Sequence, residues 1–366
     1  MREIVSPLSG IRSPFGQLTS PLAIYAVLGI KPQLVLDFDN EKYFANSARS
    51  TFSDALTFAR ASGATYTDST GTLQTVSAGV PRRGHHVWDG SAWVNEGLLH
   101  ESEARTQLLH TTDAMVTQSH TVTAVPHTLH FTGTGTVTLS GASTAGPLVG
   151  TGTGEQNRVS LTFTPSAASL TLTVSGTVTD AQLEVGSTPS SYIPNLAGSG
   201  TVTRAAETLT IPSANLPWSS SAVSIQMDGR VTASDAAGDI VTTARWFSTS
   251  LRRLETYIRY NGAYTGNAAS TVYNGASPYV SELSVGNGNI SDGILAPFNI
   301  ALRHTSLTLR GASGGTLFNT VGTPNAGVVD LSEADLNLGY DYMGTIKTFR
   351  VWAADLGDTG IEEASA

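Results

Sequence analysis

LTLTVSGTVTDAQLEV (residues 170–185) decides the fold class, because polar and apolar side chains alternate along it. In a strand, successive side chains point to opposite faces, so this period of two places Leu170, Leu172 and Val174 together on one buried face. Ala181-Gln182-Leu183-Glu184-Val185 forms a last strand, ended by Gly186 and Pro189. Working outward, Ser160-Leu161-Thr162-Phe163 precedes a turn at Pro165, and Thr128–Ser140 alternates around Gly133 and Gly135. Roughly eight short strands over residues 120–194 predict a small β-sandwich.

The rest of the chain has the same character. Charged residues make up 13% of the 366 residues and hydrophobic ones 40%, with Gly, Thr and Ser in the gap. That balance excludes a coiled coil or helical bundle, and the recurring apolar alternation excludes disorder. Thr and Val are stiff at χ1 and fit a pleated surface. The expected fold class is all-β and multi-domain. Cysteine is absent, which removes disulfides and thiolate nucleophiles. A net charge of −9 gives no whole-chain field favouring nucleic acid. Leu22–Ile30 (LAIYAVLGI) is far shorter than the ~20 residues that span a bilayer. Pro21 opens that run and Lys31-Pro32 closes it with no cleavage pattern, so neither membrane insertion nor secretion is expected.

Residues 1–35 carry Pro7, Pro14, Pro21 and Pro32 and read as an extended arm. Residues 22–30 are either a strand that docks onto another subunit or the first strand of the next domain. Residues 36–110 form a β module with turns at Ser62-Gly63 and Thr70-Gly71, and 111–195 hold the sandwich. A small, polar linker at 195–203 leads to a third strand-rich unit, 204–366, whose tail from Asp355 is helical. No fixed-period repeat supports a solenoid.

Three stretches resemble known proteins. TFARASGATYTDSTGTLQTVSAGVPRRGHHV (57–87) with GLLHESEARTQLL (97–109) is similar to a module of phage and prophage virion proteins, in which an RAS-x-AT-x-x-D-x-x-G strand pair leads to GLLIE-x-x-RTNLL. Here His100 stands for the usual Ile and Gln107 for the usual Asn. Residues 170–195 resemble the end of the carbohydrate-binding-module-like sandwich that often follows it. FNIALRHTSLTLRG (298–311) and LNLGYDYMGTIKTFRVWAADL (336–356) are similar to concanavalin A-like or laminin G-like jelly rolls. The order resembles spike and tail-fibre proteins of tailed phages and gene transfer agents, particularly alphaproteobacterial ones. That resemblance implies a place on the exterior of a phage-like particle, contact with other virion proteins through the arm, homo-oligomers, and host surface polysaccharide as partner.

No G-x-S-x-G elbow, P-loop or H-E-x-x-H is present, so no catalytic residue is assigned and no cofactor is expected. Glu333/Asp335 and Glu101/Glu103 have the same-face spacing that a glycosidase needs, but read as solvated turn acids. Seven of eight histidines lie between His85 and His130, yet His85-His86 point to opposite strand faces and His127/His130 have a helical spacing. They read as surface or interface residues, and no metal site is assigned. Asp228, Asp235, Asp239 and Asp292 leave calcium open without a dense D-x-D-x-D loop.

Sugar sites stack apolar ring faces on Trp or Tyr and hold hydroxyls with charged or amide groups. In Leu254–Tyr260, Leu254, Thr256, Ile258 and Tyr260 share one face, and Arg253, Glu255, Tyr257 and Arg259 the other. Arg303, Arg310, Arg350 and Trp352 likewise oppose apolar neighbours. If these strands adjoin, Arg253, Tyr257, Arg259, Arg303, Arg310, Arg350 and Trp352 make one basic, aromatic-edged face for an acidic polysaccharide. The competing expectation is cross-strand ion pairs, with Trp352 against the closing helix. Trp88 and Trp93 flank the hairpin turn Asp89-Gly90-Ser91, as a sugar platform, a core element or an intersubunit plug. Trp218 reads as core. Two other functions compete with glycan adhesion: glycan cleavage on the jelly roll, and a purely structural decoration or baseplate role.

Overall fold

Ala222–Thr232 (AVSIQMDGRVT) is the central strand of the molecule, and its composition shows why. Ile225, Met227 and Val231 point to one face and pack into the main core. It lies between Ala296–Thr305 and Met343–Trp352, antiparallel to both, in a ten-stranded sheet. A seven-stranded sheet faces it, in the order Val280–Gly288, Asn267–Asn274, Arg252–Arg259, Ile240–Thr249, Leu336–Leu338, Thr208–Ile211, Thr57–Ala59. Leu34, Leu36, Ile300, Phe349 and Val351 from one sheet meet Ile211, Trp246, Leu254, Ile258 and Leu336 from the other in one core. The protein is therefore all-β, built on a large sandwich. The computed structural model describes residues 20–196, 200–232, 240–249, 252–260, 265–275, 280–288, 290–291, 293–324 and 327–366. The first nineteen residues of the arm, residues 197–199 of the linker, and Asp235, Asp239 and Asp292 lie outside them.

The small sandwich is as alternation predicts. Gln118–Thr121, Ser169–Ser175, Thr136–Gly141 and Leu148–Val149 form one sheet, and Val159–Phe163, His127–Gly133 and Val178–Val185 the other. Leu170 and Leu172 are buried between them with Leu129, Phe131 and Leu183.

The predicted boundaries do not follow the sheets. Leu34–Asp37 pairs with Met343–Trp352 and then Lys42–Ala45, so part of the 36–110 module extends the ten-stranded sheet. Leu98–Glu101 pairs with the other half of Met343–Trp352, and Thr57–Ala59 closes the edge of the seven-stranded sheet. The hairpins Ala64–Thr67/Leu73–Val76 and His86–Trp88/Trp93–Asn95 remain as separate two-stranded pieces. Sequence distance hid this, because short strands find partners by shape and not by proximity along the chain. The linker is likewise partly used: Val202–Arg204 pairs with Arg105–Gln107.

The apolar run 22–30 forms no docking strand. Pro21–Tyr25 is a single 3-10 turn whose Leu22 and Tyr25 pack on Val35 and Phe44. Tyr25 donates to Asp37 Oδ2 at 2.6 Å. Leu22 and Tyr25 are thereby committed to their own chain, while Ile24 and Leu28 stay exposed.

Where the units meet, charge is buried. Arg60, Arg82 and Arg204 enclose Glu101 and Glu207. Arg82 holds Glu207 through Nε at 3.0 Å and Nη2 at 2.8 Å, and its Nη1 lies 2.7 Å from Glu101 Oε2. Arg204 Nε stands 3.2 Å from Glu101, an ion pair without hydrogen-bond alignment. Glu101 also accepts from Ser191 N–H of the sandwich at 2.8 Å. It is thus no solvated turn acid: the strand Leu98–Glu101 inserts between two units, which carries its carboxylate inside. Glu103, also buried, accepts from Arg105 Nη2 at 2.8 Å.

Breaking a buried pair by deleting one partner leaves an uncompensated charge, at a cost of roughly 3–5 kcal/mol. Glu207→Ala should lower unfolding free energy by about that amount in urea titration, against little change for an exposed control such as Glu333→Ala. Acid should act in the same direction. Burial alone would raise the Glu101 pKa, but Arg204 and Arg82 hold it well below the carboxylate range, and Glu207 and Glu184 are lowered too. Carboxylates depressed in the fold give stability that is complete above their unfolded value and lost as pH falls below it. Burial also depresses His85 to about 3 and His304 to about 4, so the fold resists protons that the unfolded chain accepts below about 6.5. The melting temperature should fall from about pH 6.5 downward, and continue falling below about pH 4.5.

Candidate functional site

Alternation in Arg252–Arg259 works as its sequence predicts: Leu254 and Ile258 enter the core, which turns Arg253, Glu255, Tyr257 and Arg259 to the outer face of the seven-stranded sheet. The neighbouring strands add to that face by register. Arg245 lies across from Glu255, Phe247 across from Arg253, and Tyr273 across from Arg253 on the other side. Glu255 is buried beneath two guanidinium groups, paired with Arg245 Nε and with Arg253 Nε at 2.9 Å.

Each arginine also lies on a ring. The Arg245 guanidinium is 3.9 Å from the Tyr340 ring centroid and that of Arg253 is 3.9 Å from Tyr273. Arg259 lies 5.8 Å from the Tyr257 centroid and donates to its hydroxyl at 3.5 Å. A planar guanidinium group can stack on a ring and still donate through its edge, as Arg245 does to Glu255. Arg245 and Arg253 pair with Glu255, and Arg245 also faces Asp341, whose pKa is raised by burial and Glu255 against the pull of Arg245. Among the described residues the face carries three arginines against these two carboxylates, on a chain of net charge −9. Tyr340, 44% exposed, and Phe247, 37% exposed, give it an apolar border.

The other four predicted residues lie elsewhere. Arg303, Arg310, Arg350 and Trp352 belong to the ten-stranded sheet, so the single face envisaged from sequence is divided between two sheets. Their outer side is covered by the helix Gly357–Ser365. Arg303 pairs with Asp355 at 3.0 Å and with Asp358 at 2.8 Å, and Arg310 with Asp358 at 2.6 Å. Arg350 donates to Gln226 Oε1 at 2.8 Å and to the Ala364 carbonyl. Trp352 is fully buried against Leu356 and Ile361, with its Nε1–H on the Ile30 carbonyl at 3.1 Å. Here ion pairing and helix packing prevail over ligand contact.

Sequence reasoning missed Arg245, Phe247, Tyr273 and Tyr340. The first two were legible, since Trp246 in the core forces both neighbours outward. Tyr273 needed the strand register, and Tyr340 lies past the end of Leu336–Leu338 with no local signal.

The remaining candidates separate. Glu333 and Asp335 are exposed, and Asp335 accepts from Ser213 N–H at 2.8 Å. Among the described residues no three His, Asp or Glu side chains gather as metal ligands. His100 donates to the Gly339 carbonyl at 3.0 Å, and His130 lies between Arg158 and Glu184. Trp218 packs on the core, with Nε1–H on Val329 O at 3.0 Å.

No family model matches the chain and no curated protein matches it. Among solved structures it is similar to the CBM40 of a Ruminococcus gnavus IT-sialidase bound to α2,3-sialyllactose, at 13% identity and TM-score 0.33, over 40% of this chain and 84% of that one. It is similar to the NanB sialidase from Streptococcus pneumoniae at 11% identity and TM-score 0.34, over 43% of this chain and 26% of that one. The botulinum neurotoxin serotype G binding domain matches at 15% identity and TM-score 0.32, over 42% of this chain and 39% of that one.

Because Asp358 holds both Arg303 and Arg310 at a partly exposed site, Asp358→Ala should cost only about 1 kcal/mol. Its clearer effect should be local. Hydrogen exchange in Gly357–Ser365 should accelerate while the seven-stranded sheet keeps its protection.

Proposed function

We propose that the chain is a glycan-binding structural subunit on the exterior of a phage-like particle, and that it binds without performing chemistry. The observation that carries this is the outer face of the seven-stranded sheet, where Arg245, Arg253 and Arg259 each lie on a tyrosine ring. Guanidinium edges donate to carboxylates in bidentate fashion, and the bordering rings suit the apolar side of a pyranose. The ligand is an acidic surface polysaccharide. Attachment to a particle is supported by the resemblance of residues 57–109 to virion modules. The residues that carry it, Arg60, Glu101 and Arg105, belong to the buried joint between units.

Charge-assisted hydrogen bonds contribute roughly 1.5–3 kcal/mol each, equivalent to about tenfold to a hundredfold in affinity. Arg253→Ala and Arg259→Ala should therefore weaken binding to an acidic capsular polysaccharide about tenfold or more, with added salt acting likewise. Arg303→Ala should leave it unchanged. A glycan array followed by calorimetry reads both. Unaltered affinity in Arg245→Ala, Arg253→Ala and Arg259→Ala together would remove this face from consideration. Release of new reducing ends from the polysaccharide would replace adhesion with cleavage, and adsorption that survives loss of the protein would favour a purely structural subunit.

A further inference from the structure

A cleft of about 340 Å³ opens where the two free hairpins, the small sandwich and the jelly roll adjoin. That volume falls in the range of small-molecule sites, ~300–1,000 Å³. Its lining includes Tyr66, His85, Trp88, Trp93, Arg158 and Tyr192. None of these belongs to the cationic face described above, and the charge and hydrogen-bonding state of the cleft differs from it in kind.

Every charge at the cleft is already paired. Arg158 spends Nε and Nη2 on Glu155, and Nη1 on His130 Nδ1 and the Asp180 carbonyl, both at 2.9 Å. Glu101 is held by Arg82, Arg204 and Ser191. Neutral donors are the opposite case. The indoles of Trp88 and Trp93 lie 5.5 Å apart at 58°, and neither Nε1–H meets an acceptor among the described residues. Trp93 is set in place by the turn below it, its ring lying where a Cβ on Gly71 would stand; Gly71 has φ +79°. Trp88 is 37% exposed beside it.

His85 supplies the independent sign of a ligand. It is 92% buried, as its 8% exposure shows, and lines the cleft. Thr67 N–H donates to its Nδ1 at 3.1 Å, which fixes the proton on Nε2. That N–H meets no acceptor among the described residues. Burial and Arg82 keep the ring neutral, so it stays a single donor at any physiological pH. His86 Nδ1–H donates to the Gly84 carbonyl at 2.9 Å, which leaves Nε2 as its second hydrogen-bonding atom.

Two indoles with unpaired N–H groups and the neutral His85 donor, beside carboxylates and a guanidinium that are already paired, point to an uncharged ligand with an apolar face and peripheral hydroxyls. We propose that this cleft is a second carbohydrate site, in which a neutral hexose unit of an oligosaccharide lies against Trp88 and Trp93 and its hydroxyls meet the indole and imidazole nitrogens. It stands or falls separately from the cationic face, since no residue is shared.

The test uses the full chain and indole fluorescence, with hexamers of α1,4-glucose, β1,4-glucose and β1,4-mannose as ligands and hexagalacturonate as the acidic comparison. Of the other tryptophans, Trp246 and Trp352 are fully buried and Trp218 is fixed on the core, so a saturable change reports the cleft. At least one neutral hexamer should give such a change, weakened tenfold or more in Trp88→Ala and in His85→Phe, and unaltered in Arg253→Ala. Trp88→Ala removes an exposed side chain, and an unchanged melting temperature verifies its fold; loss of stability in His85→Phe leaves the Trp88→Ala result decisive. No saturable change with any neutral hexamer would overturn the proposal. So would a change that persists in Trp88→Ala, or hexagalacturonate binding there as well as the neutral sugars.

Discussion

Everything in the molecule depends on five charged side chains buried at one joint. Arg60, Arg82 and Arg204 surround Glu101 and Glu207 at the point where hairpins, small sandwich and jelly roll converge. A buried ion pair gains little net stability over a well-packed apolar contact, because desolvation offsets much of the attraction. Its consequence is geometric. Apolar surfaces tolerate sliding, whereas this set is satisfied in one arrangement only. The third guanidinium has no carboxylate of its own, and the excess is taken by carbonyls: Arg60 donates to Ser62, Ser77 and Val80, and Arg204 to Glu103 and Ala205. Those carbonyls come from loops that would otherwise have no fixed position.

The same logic separates the two faces of the jelly roll. On the ten-stranded sheet, helix Gly357–Ser365 brings Asp358 over Arg303 and Arg310, while the arm brings the Ile30 carbonyl to Trp352. Arg303, Arg310, Arg350 and Trp352 each find an intramolecular partner there, and the helix covers them. On the outer face of the seven-stranded sheet Arg245 and Arg253 pair with the buried Glu255 and lie at the same time on Tyr340 and Tyr273. Cation–π contact itself neutralises no charge, so the balance of this face rests on its three arginines against Glu255 and Asp341.

Sequence made the fold class legible because alternation is a local property. Leu170 and Leu172 entered the sandwich core, and Leu254 and Ile258 the larger one, as a period of two requires. What alternation cannot state is which sheet a strand joins. It placed Arg253 and Arg350 correctly outward, yet the two lie on opposite layers, and only long-range register decides that. Glu101 failed for a related reason. A same-face pair of acids beside Arg105 reads as a surface turn until Leu98–Glu101 is seen to pair with a strand some 240 residues away, across which Leu99 meets Thr345. The motif residues Arg60, Glu101, Arg105 and Gln107 were noticed through resemblance, and the fold supplies their physical reason. Gln107 alone donates to the Ala181 and Ile193 carbonyls and accepts from Leu109 and Leu183, stitching the sandwich to the module.

Ligand chemistry then follows from what folding leaves unpaired. Where charges are consumed at the joint, the adjoining cleft holds only charges that are already paired, beside neutral hydrogen-bonding groups and indole surface, and on the proposed reading it discriminates by shape and hydroxyl geometry. Where charges lie on rings, at the outer face of the seven-stranded sheet, attraction is long-ranged and salt-sensitive, and discriminates chiefly by ligand charge. A single chain with both kinds of surface could engage one polysaccharide at two places. Simultaneous contact converts the second event into an intramolecular one, so modest affinities at each would multiply into firm adhesion without either site being strong.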